Sequence, residues 1–229
     1  MNYILEGFIG AINLLLTKDP ETYSAIWTTL RISTLSITFT LLLGIPLGFL
    51  LGHYSFPGKR VLRTIVDTLL ALPTVVVGLL VYAFISRRGP FGELGLLFTI
   101  PGVAIGQFIL ALPIVVSLTA SAIEGMDPKV YLTIKTLGAS NKQAAIASLW
   151  EGRYAVLAAA ITAYSRVISE VGISMMIGGN IKWHTRTITT AIALETGKGE
   201  FSMGIALGAV LLAFAFFANT LVSFLRRRA

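Results

Sequence analysis

The sequence predicts an all-α integral membrane protein with about five transmembrane helices, N-terminus outside and C-terminus inside. Three observations carry that prediction. Of 229 residues, 55% are hydrophobic and only 13% charged, with a mean hydropathy of +0.81; a soluble domain carries about a quarter charged residues to face water. Five continuously apolar stretches approach or exceed the roughly 20 residues that cross a hydrocarbon core of about 30 Å. Because they are continuous and do not alternate with period two, helices are preferred over a barrel. Finally, lysine and arginine fall unevenly between the segments that join these stretches.

In chain order, residues 1–25 come first. Ile4, Phe8, Ile12 and Leu15 recur at helical spacing, but Glu6, Asn13, Lys18, Asp19 and Pro20 leave the apolar run too short to span. The segment reads as an amphipathic helix at the interface; it lacks the basic start of a cleaved signal peptide. The membrane domain occupies 26–225. Its first span, 26–51, carries Arg31 near its start, and the second, 64–85, carries Asp67. The third, 102–123, and the fifth, 201–225, are uncharged, whereas the fourth, 154–177, contains Arg166 and Glu170. Residues 226–229 form a basic tail suited to anionic lipid headgroups.

Orientation follows from the basic residues. With the N-terminus outside, the inner segments hold Lys59, Arg60, Arg63, Lys129, Lys135, Lys142, Arg153, Arg226, Arg227 and Arg228. The outer segments hold Lys18, Arg87, Arg88, Lys182, Arg186 and Lys198, which six outer acids balance. Nucleic-acid binding, which needs a charged surface, does not fit so basic yet so apolar a chain. With no cysteine and two distant histidines, there is no thiolate chemistry and no evident metal site.

Pro46, Pro73 and Pro113 lie inside the first three spans, where each bends a helix unless neighbours re-satisfy the backbone. Gly44, Gly48 and Gly52 stand at small-xxx-small spacing for close helix approach. The stretch from Ala71 through Pro73 to Val76 echoes that from Ala111 through Pro113 to Val116, a coincidence of apolar vocabulary more than a repeat. The longest inner loop, 124–153, is patterned. Asp127 N-caps a helix with Pro128 at its first position, running through Thr136. Gly138 suits a C-cap or hinge, and Ser140 caps a second helix through Trp150. Such a pair either rests on the bilayer or docks a partner.

Arg166 and Glu170, four apart on one predicted helix, can pair across a turn. Charges within a span face a bundle interior or an aqueous cavity, so the pair reads either as a structural lock or as a lining or gate of a pathway. Ser165 and Ser169 accompany it. Gly178, Gly179 and Asn180 form a turn at the membrane exit, a role at an outer gate being the alternative. Lys182, His184 and Arg186 read as solvated loop charges with the potential to attract an anion.

A helix–glycine–helix loop between the third and fourth of five spans resembles the coupling segment of type I ABC-importer permeases. Thr136-Leu137-Gly138-Ala139-Ser140 matches the family glycine, whereas Leu132, Thr133 and Ile134 replace its Glu-Ala-Ala, and Trp150 and Glu151 replace its Leu-Pro. The run from Tyr164 to Asn180, followed by Thr185-Arg186-Thr187, is similar to the molybdate and sulfate permeases, with Ser169 and Val171 in place of Gly and Phe. Its Ile-Ser-Met-Met-Ile-Gly-Gly-Asn form and the stretch 191–201 look most like tungstate-type permeases. The resemblance implies a multi-pass permease subunit in the cytoplasmic (inner) membrane. It implies import of an oxyanion, tungstate first and molybdate or sulfate next. It further implies a homodimer with two copies of a separate ABC ATPase, which binds ATP and Mg, and an external oxyanion-binding protein. Leu137, Gly138, Ala139 and Ser140 would couple to the ATPase; Arg166, Ser169, Glu170 and Asn180 would line the pathway or gate. The chain itself is then no enzyme: it has no phosphate-binding loop and no hydrolase-like side-chain set. A self-sufficient channel or secondary transporter is the alternative.

Overall fold

The computed structural model describes residues 2–227; Met1 and the end of the basic tail, Arg228 and Ala229, lie outside the described residues. Helix dominates because burying backbone in lipid leaves no other partner for its polar groups. The elements are α1 (Asn2–Leu16), α2 (Pro20–His53), α3 (Lys59–Leu69), α4 (Thr74–Ile85), α5 (Ile100–Glu124), α6 (Pro128–Thr136), α7 (Asn141–Glu151), α8 (Arg153–Ile168), α9 (Gly172–Gly178), α10 (Ile188–Lys198) and α11 (Phe201–Arg226).

Helix α2 starts at Pro20, ahead of the predicted residue 26, because Asp19 caps it: the carboxylate accepts from Thr22 N and Thr22 Oγ1, both at 2.8 Å. Pro46 is accommodated inside it, as Pro113 is inside α5. Helix α1 lies along α11. The glycine stripe seats α2 on α5. A Cβ at Gly48 would stand 2.7 Å from the Val116 carbonyl, and one at Gly52 would stand 2.7 Å from that of Ala120. Between them Ile32, Val77, Val103, Ile173 and Ile177 build the main core from α2, α4, α5 and α9. Phe39, Leu43, Leu79, Phe84, Phe216 and Phe217 point outward, the apolar exterior that lipid requires.

Helices α2, α5 and α11 are each long and apolar enough to span; two bent pairs bring the number to as many as five. Two expectations of continuous spans are corrected here. The predicted second span breaks between α3 and α4, whose axes meet at 97°. Pro73 lacks the N–H that would continue α3. Arg63 donates to Ser121 Oγ at 2.6 Å and pairs with Asp67 at 3.2 Å, and Ser117 donates to Asp67 at 2.7 Å. These bonds hold α3 against α5. The predicted fourth span also breaks: α8 ends at Ile168 and α9 starts at Gly172, so Arg166 and Glu170 do not share one helix. At its other end α8 meets α7 at 60° across Gly152.

Candidate translocation site at two adjoining helix breaks

The two breaks meet. A Cβ at Gly172 would stand 3.1 Å from Thr74 Oγ1, 3.2 Å from Val75 Cγ2 and 3.4 Å from Glu170 Oε1. The first turn of α4 therefore faces the residues that separate α8 from α9. Gly78, one turn further along α4, lies against α9, where a Cβ would be 3.3 Å from Ile173 Cα.

Glu170 organises the second break. Only 2% of it is exposed. Oε2 accepts from Arg166 Nη1 at 2.8 Å, and Oε1 accepts from Ile173 N at 3.2 Å. Its backbone carbonyl accepts from Thr189 Oγ1 at 2.7 Å. The carboxylate thus bridges the end of α8 to the start of α9, and the backbone carbonyl ties the break to α10. Arg166, by contrast, has a side chain 41% exposed. A guanidinium so exposed inside a span calls for water or protein beside it, since lipid cannot solvate it. The pair is half buried and half open.

Ser165 and Ser169 hydroxyls donate to main-chain carbonyls of their own helix, Ser169 to both Ser165 and Arg166 at 3.1 Å. They edge a groove of about 250 Å³ between α8 and α11, walled mainly by Ile161, Leu211, Phe214, Phe217 and Leu221. Asn180, expected in a turn, has φ of 51°, and its Oδ1 is buried without a hydrogen-bond partner among the described residues.

The reading of Arg186 as a solvated loop charge is corrected. It is 9% exposed, pairs with Glu21 through Nη1 and lies 3.7 Å from Glu195. Lys182 also pairs with Glu21, and Lys198 with Glu195 at 2.8 Å. His184 is exposed. Sequence reasoning marked Lys182 and Arg186 as able to attract an anion but missed their pairing, because Glu21 stands 165 positions from Arg186.

At the opposite end, the 124–153 loop forms two helices. Asp127 accepts from Lys129 N at 2.9 Å. Ser140 and Gln143 close a capping box over α7. Gly138 has φ of 86°, and nothing lies within 4 Å of where a Cβ would stand; this is the left-handed cap that favours glycine. Leu137 beside it is 83% exposed, with Ala139 partly buried and Ser140 exposed. The site residues thus divide: Arg166, Ser169 and Glu170 assemble at the break, Asn180 lies beyond α9, and Leu137–Ser140 lie at the far end of the α7–α8 pair.

Residues 44–229 match the family described as binding-protein-dependent transport system inner membrane component. The chain belongs to this permease family. It is 51% identical over 227 residues to the tungstate uptake system permease protein TupB of Campylobacter jejuni, covering 99% of this chain and 95% of that protein. It is 39% identical to TupB of Peptoclostridium acidaminophilum, covering 97% of each. A crystal structure of an amino acid ABC transporter superposes with a TM-score of 0.69 at 16% identity, covering 94% of this chain and 97% of that one. The chain is accordingly an inner-membrane permease subunit with the type I ABC-importer fold, and hydrolysis of ATP is the work of a separate subunit. The self-sufficient channel is not favoured.

Proposed function

We propose that this permease carries tungstate inward across the cytoplasmic membrane, passing it along a pathway that runs by the paired breaks at Leu70–Pro73 and Ser169–Val171. The observation that carries the substrate is the 51% identity, over nearly its whole length, to a tungstate uptake permease. Arg166, half exposed beside the break, supplies a positive charge of the kind an oxyanion would pass. The first turn of α4 adds the positive end of a helix dipole. Glu170 keeps that arginine from holding the anion too tightly.

The working unit is a homodimer. Helix α4 has twelve residues, about 18 Å of rise, well short of a hydrocarbon core of about 30 Å. The irregular backbone at 70–73 then sits at membrane depth, and Leu70 and Leu72 are exposed. Irregular backbone at that depth is tolerated only against protein or water; a second copy across a wet pathway supplies both. N-out, C-in orientation places Leu137–Ser140 in the cytoplasm, where Leu137 seats on an ATPase subunit, one per copy. ATP and Mg bind there, and not in this chain. An external binding protein delivers the anion at the Lys182–Arg186 end. Binding of that protein and closure of the ATPases shift the pathway between its two openings.

The test is uptake of tungstate by cells expressing this chain with its ATPase and binding protein in a strain lacking its own oxyanion importers. Saturable, ATP-dependent tungstate uptake is expected, with molybdate and sulfate as competitors. Uptake of sulfate in preference to tungstate would overturn the substrate; uptake without the ATPase would overturn the mechanism.

A further inference from the structure

We propose that Lys182 and Arg186 form an oxyanion subsite at the end of the bundle remote from the 124–153 loop, which the Glu21 carboxylate fills until the anion displaces it. The proposal rests on the oxyanion reading above and adds a place where the anion first meets this chain.

The arrangement is one carboxylate shared by two cations. Glu21 Oε1 faces Arg186 Nη1 and Oε2 faces Lys182 Nζ, so each oxygen takes a different donor. This is how a small oxyanion would be held, and a tetrahedral one offers further oxygens. A donor is left over for them: Arg186 Nε is buried with no hydrogen-bond partner among the described residues. A buried, unpaired guanidinium N–H is costly, and a planar carboxylate already spread between two cations leaves it unused. The site is also built rather than accidental. The amides of His184, Thr185 and Arg186 all donate to the Ile181 carbonyl at 3.0–3.1 Å, and Thr185 Oγ1 donates to the Gly178 carbonyl. Trp183 takes a left-handed φ of 67° within this turn, with Lys182 Nζ 5.3 Å from its ring centre.

Charge favours exchange. Lys182, Arg186 and Lys198 face Glu21 and Glu195, leaving the ion-paired group one positive charge in excess. A dianion in place of Glu21 makes it neutral. Glu21 is not stranded on leaving, because it stands in the first turn of α2, where the helix dipole favours a carboxylate. Access exists through Lys182, whose side chain is 46% exposed. Glu195 stays paired with Lys198, and because Glu21 holds the Lys182 and Arg186 donors until it leaves, the exchange is one for one.

The experiment is calorimetric titration of sodium tungstate onto the permease–ATPase complex in phosphatidylcholine nanodiscs at fixed ionic strength, without binding protein. Glu21→Gln should tighten binding by about tenfold or more, since a charge-assisted competitor is removed. Glu21→Asp, whose shorter carboxylate cannot reach both cations, should tighten it less. Lys182→Gln added to Glu21→Gln should abolish the gain. Equal affinities in wild type and Glu21→Gln, or no detectable heat in either, would overturn the proposal, as would a gain that survives Lys182→Gln. Loss of the Glu21→Gln gain when phosphatidylglycerol is included would assign the site to lipid headgroups and overturn it as well. Thermal melting of each complex separates a failure to assemble from a failure to bind; should Glu21→Gln not assemble, the comparison of Glu21→Asp with wild type decides. Tungstate uptake by the wild-type system is measured in parallel. Uptake without any Glu21-dependent binding sinks the subsite alone, whereas sulfate transport in place of tungstate sinks the substrate reading.

Discussion

Removing the two members of the Arg166–Glu170 pair should have unequal effects, and the structure sets the inequality. Arg166→Met leaves Glu170, 2% exposed, with Ile173 N as its remaining side-chain partner. Orphaning a buried charge by removing its partner costs about 3–5 kcal/mol. Glu170→Gln leaves an arginine whose side chain is 41% exposed and open to water. The glutamine oxygen still accepts from Ile173 N while its NH2 faces the guanidinium without an acceptor, so the loss is one charge-assisted bond in a partly wet setting, about 1.5–3 kcal/mol. The double variant restores neutrality and should fall near the Glu170→Gln value. Membrane abundance and thermal melting in detergent measure the stability side. Tungstate uptake per molecule in the membrane measures function. Arg166→Met should be the less abundant single variant, and the double variant should recover abundance while uptake stays low, because the cation beside the break is gone. A Glu170→Gln protein less stable than Arg166→Met would refute the burial argument. Full uptake in the double variant would show that the pair is only a lock.

Further outcomes follow from other positions. Gly138→Val should lower ATPase stimulation and uptake through backbone strain of about 1–2 kcal/mol, with insertion intact; Gly138→Asn, which tolerates the left-handed region better, should do less harm, and equal activity in both would remove the cap from the coupling argument. Gly48→Val sets a branched side chain against the Val116 carbonyl and should cut membrane abundance several-fold by prising α2 from α5; normal abundance would show that the stripe is not a seat. A reporter fused to the C-terminus should be active in its cytoplasmic form, and periplasmic activity would reverse the orientation.

Local chemistry was readable and distant contact was not. Asp127, ahead of Pro128, and Ser140 mark helix starts by bonds to amides two and three residues on, so spacing alone exposes them. The glycine cap at Gly138 is equally local. The two helix breaks are different. Leu72-Pro73 and Leu112-Pro113 read alike, yet Pro73 ends in a turn while Pro113 stays inside α5. What separates them lies elsewhere: α3 is drawn aside by Arg63 and Asp67 bonding to α5, whereas Pro113 is buried within the bundle. The break at Ser169–Val171 is held by Glu170 bonding forward to Ile173 and by Thr189, nineteen residues on. Arg186 reads in the sequence as an exposed loop charge, and only the start of α2 beside it shows that it is buried and paired.

The α7–α8 corner has a mechanical consequence. Arg153 stacks against Trp150 and Tyr154, at 5.3 and 4.5 Å from their ring centres, and donates to the Trp150 carbonyl at 2.7 Å. The elbow at Gly152 is therefore braced, and torque applied to α7 is delivered to α8 more than absorbed between them. The sixteen residues of α8 make an arm of about 24 Å, so a tilt of about 10° sweeps its far tip through about 4 Å. Arg166 rides near that tip, while Glu170 is moored to α9 and α10 through Ile173 and Thr189. A stroke of that size exceeds the 2.8 Å contact between them, and Glu170 is also tied to the last turn of α8 through its N–H to the Val167 carbonyl, so a small rocking at α7 is felt first at this joint.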